Sequence, residues 1–111
     1  MKAKIKFKGK EIIIKDIEKA SGFKKFSGLM FKSRDTNALL FEFAKPGKWA
    51  IHSFFCKKFL AIWLNQGKIV DYKIINKALA SIKPKKEFEK LIEIPINEKY
   101  ADVISRFIDT E

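Results

Sequence analysis

Residues 2–8 alternate strictly between lysine and apolar side chains. Lys2, Lys4, Lys6 and Lys8 fall on one side of an extended chain, and Ala3, Ile5 and Phe7 fall on the other. Successive strand side chains point to opposite faces, so this pattern predicts a half-buried strand with a lysine outer face. Gly9 marks a tight turn, and Glu11-Ile12-Ile13-Ile14-Lys15 reads as the partner strand. Similar short runs of β-branched and aromatic residues recur at 38–43, 49–55, 58–64, 68–75 and 88–94, each reading as a strand. In the last of these, Phe88, Ile92 and Ile94 are expected on one face.

Pro46-Gly47 reads as a type II turn. Asn65-Gln66-Gly67 reads as a three-residue hairpin loop with Gly in the left-handed position. Pro84 falls in a loop spanning 81–86. Two stretches have a helical period instead. Residues 16–31 place Phe23, Phe26 and Leu29/Met30 three to four apart. Beyond Pro95, Asn97 can cap a last helix with a stripe of Tyr100, Val103/Ile104 and Phe107/Ile108. The expectation is a mainly β domain with two short helices, a compact antiparallel sandwich or barrel occupying residues 1–111 as one unit.

Composition narrows the function classes. At 111 residues the chain is one domain. Cys56 is the one cysteine, which excludes an internal disulfide. The lysine-broken start lacks the apolar stretch of a secretory signal, and the longest apolar run, 59–64, is far too short to span a bilayer. The expectation is therefore a cytoplasmic protein with no membrane association.

Charge is the unusual property. The chain holds 24 basic and 13 acidic residues, net +11. Residues 87–111 carry seven acids against three bases, so the first 86 residues carry net +15. The excess is lysine, 22 against 2 arginines, and Arg is the residue whose planar fork suits phosphate and base edges. Two readings follow. The lysines of compositional origin simply solvate strand faces. Alternatively Lys2, Lys4, Lys6, Lys8, Lys58, Lys85 and Lys86 form a polyanion or nucleic-acid face, with an aromatic such as Trp49 or Phe54 stacking on bases.

Catalytic signals are weak. His52 is the lone histidine. His52 and Cys56 share a strand face but stand roughly 13 Å apart, too far for a nucleophilic pair. Together they are an incomplete metal set, so no cofactor or metal is expected. No phosphate-binding glycine loop is present.

Four segments in order resemble one family. Gly28-Leu29-Met30-Phe31-Lys32 is similar to the GLMFR signature of the Domain of Unknown Function 192 family. Ile51-His52-Ser53-Phe54-Phe55-Cys56-Lys57 resembles its second motif, Leu60 to Leu64 with Gly67 to Val70 resembles its strand–turn–strand, and Leu91-Ile92-Glu93-Ile94-Pro95 resembles its late strand. This chain departs from the family pattern at Lys32 (Arg), Ser53 and Cys56 (Met), Phe59 (Pro) and Ala61 (Asp), and near Ile96-Asn97 (Gly). The resemblance implies a jelly-roll-like β fold and no established activity. Polar residues in or beside these motifs, Lys32, Arg34, His52 and Lys57, are the expected binding site of a non-enzymatic ligand-binding or accessory domain.

Overall fold

The computed structural model describes residues 1–20, 37–50, 58–77 and 81–108. Among them are seven strands: β1 Ala3–Phe7, β2 Lys10–Ile14, β3 Glu18–Ala20, β4 Leu39–Gly47, β5 Phe59–Asn65, β6 Lys68–Ile75 and β7 Phe88–Pro95. A 3-10 turn, Glu98–Tyr100, leads into α1, Ala101–Ile108. The domain is mainly β, as expected, with its strands in two sheets.

The N-terminal hairpin follows the alternation. Ile5, Ile12 and Ile14 are buried, while Lys2, Lys4 and Lys6 are exposed. Phe7 pairs with Lys10, leaving Lys8 and Gly9 as a two-residue turn with φ of 51° and 81°. Positive φ at both central positions is the type I′ signature, whose twist matches that of the flanking strands. The second hairpin uses the same device. Asn65 pairs with Lys68 across Gln66 and Gly67, with φ of 53° and 77°. The loop is therefore two residues, not three, because Asn65 remains in the ladder.

The larger sheet has the order β3-β4-β7-β5-β6. Every pair in it is antiparallel except β3 with β4, which runs parallel from Glu18↔Leu39 to Ala20↔Phe41. Residues 18–20, expected within a helix, thus form an edge strand. The rest of that expected helix, 21–31, lies outside the described residues, so one of the two expected helices is seen. Of the expected strand at 49–55, Trp49 and Ala50 fall outside any strand and 51–55 lie outside the described residues.

Pro46 and Gly47 end β4 instead of turning it. The β4–β7 ladder shifts register between Glu42 and Gly47, and β3 pairs only as far as Phe41. Pro46 therefore sits at an irregularity with no ladder partner on the β3 side among the described residues, where a missing N–H is tolerated.

The sheet is buried on both faces. One face carries Leu40, Leu60, Ile62, Leu64, Ile92 and Ile94, covered by the β1–β2 hairpin and by Tyr100, Val103, Ile104 and Phe107. The other carries Leu39, Phe41, Phe59, Ala61, Trp63, Ile75 and Leu91, with Phe88 and Ile82. Phe88 thus joins Leu91 on the second face, away from Ile92 and Ile94. The strict alternation fails at the start of β7, where Phe88 pairs with Gly47 beyond the register shift. The last helix is capped as expected, the Asn97 side chain accepting from the Tyr100 amide, though Ile108 stays exposed.

Candidate functional site

The polar feature that stands out is on the second face. Glu93 is the one buried charged or polar residue among the described residues, 5% exposed. It pairs with Leu39 of β4 on one side and Ala61 of β5 on the other. Ala61 in turn pairs with Lys73 of β6. One row across four strands therefore reads Leu39, Glu93, Ala61, Lys73. Cross-strand partners project from the same face, so carboxyl and ammonium flank the methyl of Ala61, their strands about 10 Å apart.

Electrostatics at Glu93 follow from burial. Removal from water penalises the carboxylate and pushes its pKa from 4.5 up to about 8. At neutral pH the group is mostly the neutral acid, one O–H donor with acceptor capacity. Among the described residues its Oε1 has no hydrogen-bond partner. Trp63, diagonal to Glu93 on the same face, is fully buried with its indole Nε1 equally unpartnered. Diagonal neighbours are about 7–8 Å apart at the backbone, within reach of an aromatic and a long side chain.

Leaving a buried polar group unpaired costs about 1–3 kcal/mol. Two on one face form an uncompensated donor–acceptor set. Lys73 completes the surroundings. Its ammonium lies 5.8 Å from the centroid of the Trp63 ring and donates to the Lys83 carbonyl at 2.8 Å. It is half-exposed, so the row runs from solvent at the edge strand inward to Glu93. Among the described residues, no three His, Cys, Asp or Glu side chains are grouped to hold a metal.

The sequence-predicted binding residues Lys32, Arg34, His52 and Lys57 lie outside the described residues, as do Phe54 and Cys56. The lysines of the alternative face are all exposed but dispersed. Lys4 and Lys6 project from the outer face of the hairpin, with Ile13 opposite Lys4 and Glu11 opposite Lys6. Lys8 is in the turn, 5.6 Å over the Phe7 ring. Lys58 precedes Phe59, at the end of the sheet where Phe59 meets Pro95. Lys85 and Lys86 precede Phe88 at the opposite end, roughly 20 Å away by strand length. The Lys85 amide is fixed there by Asp71 Oδ2 at 2.9 Å.

Glu93, Trp63 and Lys73 were not singled out by the sequence reading. A strand whose one buried face holds Phe88, Ile92 and Ile94 sends Glu93 to solvent with Glu89. The available signal was the unbroken apolar setting of Glu93 in Leu91-Ile92-Glu93-Ile94-Pro95, which suits a strand covered on both sides.

No family model matches this chain, and no curated protein does. Among solved structures, the chain is similar to a protein of unknown function from Novosphingobium aromaticivorans DSM 12444 at 12% identity and a TM-score of 0.68. The likeness covers 92% of this chain and 76% of that one. At this identity it establishes the fold alone. Among the described residues, no helix is long and apolar enough to cross a membrane.

Proposed function

We propose that this is a non-enzymatic ligand-binding domain that holds a small polar ligand on the second face of the large sheet, against Glu93 and Trp63. The observation that carries this reading is the buried Glu93 carboxyl with an unpartnered oxygen. A carboxyl kept only for packing is readily replaced by Leu or Gln. One kept in an apolar site with a strongly raised pKa is a functional-site candidate. The indole N–H of Trp63 adds a donor on the same face, and Ala61 between Glu93 and Lys73 is the smallest side chain of the row.

The proposal is compatible with the resemblance to the Domain of Unknown Function 192 family. That family carries Asp at the position of Ala61, which this chain lacks, while Glu93 belongs to the segment that resembles the family's late strand and stands directly across the ladder from Ala61. The Lys32, Arg34, His52 and Lys57 group stays part of the proposal as a second set of polar contacts.

The test is a thermal-shift panel of small carboxylates, amides, amines and polyols, run in parallel on the natural chain and on Glu93→Leu. One chemical class should raise the melting temperature of the natural chain and leave Glu93→Leu unmoved. A panel that shifts neither protein, or both equally, removes Glu93 from any binding role.

A further inference from the structure

At the far end of β4, a second aromatic residue is held in a different manner. Trp49 stacks on Phe43 with ring centroids 4.7 Å apart and planes 14° from parallel. Phe88 meets it edge-on at 5.7 Å. Despite these two contacts Trp49 remains 42% exposed. Its ring closes over Gly47, where an added Cβ would fall 2.7 Å and 2.8 Å from two ring carbons. The absent side chain at Gly47 is thus what permits the stack, and the indole is fixed before anything binds.

The surroundings are cationic. Lys45 and Lys48 flank Trp49 along the chain, and no acid occurs between Phe43 and Ala50. Lys86 stands two residues before Phe88 on the neighbouring strand. All three are exposed and make no ion pair with another described residue. Of the nearby acids, Glu89 is engaged by the Gln66 amide at 3.0 Å, and Glu87 is exposed.

We infer that Trp49, with Lys45, Lys48 and Lys86, forms a docking surface for single-stranded nucleic acid. A rigid, half-exposed indole offers a π-face to any base, and lysines beside it neutralise the phosphates on either side. Charge complementarity selects this occupant, since the surface is aromatic and cationic at once, on a chain of net +11. Lysine-dominated, arginine-poor contacts fit backbone tracking and stacking, which carry little sequence information, better than base-edge readout. This surface is distinct from the row around Glu93 and does not depend on it.

The test uses the full chain, a 12-nucleotide oligo-dT and intrinsic tryptophan fluorescence, with Trp63 as the buried internal reference. At low salt the oligonucleotide should quench Trp49 saturably, and affinity should fall steeply as salt rises. Trp49→Ala should weaken binding, followed by anisotropy of a labelled oligonucleotide, by roughly 5- to 150-fold, the range expected for one lost base stack. Lys45→Gln with Lys48→Gln should flatten the salt dependence by about 1.4 in log–log slope, two phosphate contacts at roughly 0.7 each. Gly47→Ala, which pushes the indole out of its stack, should weaken binding while circular dichroism stays native. Undiminished binding by folded Trp49→Ala overturns the inference, as does an absence of quenching at low salt. Blue-shifted Trp49 emission with phosphatidylserine vesicles and none of these oligonucleotide effects assigns the surface to an anionic membrane and overturns it too.

Discussion

The hydroxyl of Tyr100 accepts the backbone amide of Ala38 at 2.8 Å, tying the start of the C-terminal helix to the start of β4 across 62 residues of sequence. The same oxygen lies 3.0 Å from the Lys15 carbonyl and 3.1 Å from the Asp16 carbonyl, either of which can take its proton. Burial raises the phenol pKa, the Ala38 amide partly offsets this, and the acids at 16 and 18 add to it. One side chain thus joins the hairpin, the large sheet and the helix.

Tyr100→Phe keeps the ring and strands the Ala38 N–H. An orphaned buried donor costs about 1–3 kcal/mol, equivalent to a drop of roughly 4–8 °C in melting temperature per kcal/mol for a domain near this size. Urea unfolding should show the loss as a lower midpoint with an unchanged slope.

Glu93 should make stability depend on pH in a defined direction. Its pKa is about 8 when folded against 4.5 ordinarily. Below pH 4.5 both states hold the proton. Between 4.5 and 8 the unfolded chain binds fewer protons than the folded one, so stability falls as pH rises, by about 1.4 kcal/mol per pH unit for a single group. Above 8 the folded carboxyl also ionises and the slope levels off. Relative to Glu93→Gln, the natural chain should therefore lose ground steadily from pH 5 to pH 8. Parallel stability–pH curves for the two proteins would remove the buried acid from the account.

Glu93→Leu should stabilise the domain at pH 7 by about 1–3 kcal/mol, because hydrocarbon replaces a buried carboxyl whose Oε1 has no partner among the described residues. An increased urea midpoint checks this, and a decrease would mean that the carboxyl is bonded in solution.

The glycines of the two hairpin turns should differ from Gly47. At Gly67 a Cβ meets open space, but φ is +77°. Gly67→Ala should cost about 1 kcal/mol of backbone strain and leave tryptophan fluorescence unchanged. Gly47→Ala should alter Trp49 emission, since the clash there is with the indole.

Asp71 closes the loop before β7 by accepting from the Tyr72 amide at 2.8 Å and the Lys85 amide at 2.9 Å. Asp71→Ala should speed hydrogen exchange at Lys85 and cost about 1–2 kcal/mol.

The hairpins and the last helix were legible because their information is local. Alternation fixes the faces of β1, Gly at a positive-φ site fixes each turn, and Asn97 caps from three residues away. What was not legible depends on long-range neighbours. Nothing around Glu18 announces a parallel partnership with Leu39. Pro46-Gly47 carries a turn signature that is overridden by where β3 stops. Glu93 reads as a surface acid unless both faces of β7 are known to be covered, and that cover comes from elements far along the chain. The unpaired indole of Trp63 is invisible for the same reason.

The strand order also dictates how the chain assembles. β7 is the last strand in sequence, yet it lies between β4 and β5, pairing Leu40 with Ile92 and Ile62 with Ile92 over separations of 52 and 30 residues. The two hairpins can close early, on local contacts alone. β4 and β5 have no direct pairing with each other, so neither face of the sheet is complete until the segment ending at Pro95 inserts between them. Such non-local pairing belongs to the slow end of single-domain folding, milliseconds to seconds. During synthesis, the chain up to about residue 87 would carry two apolar strands awaiting the one that joins them.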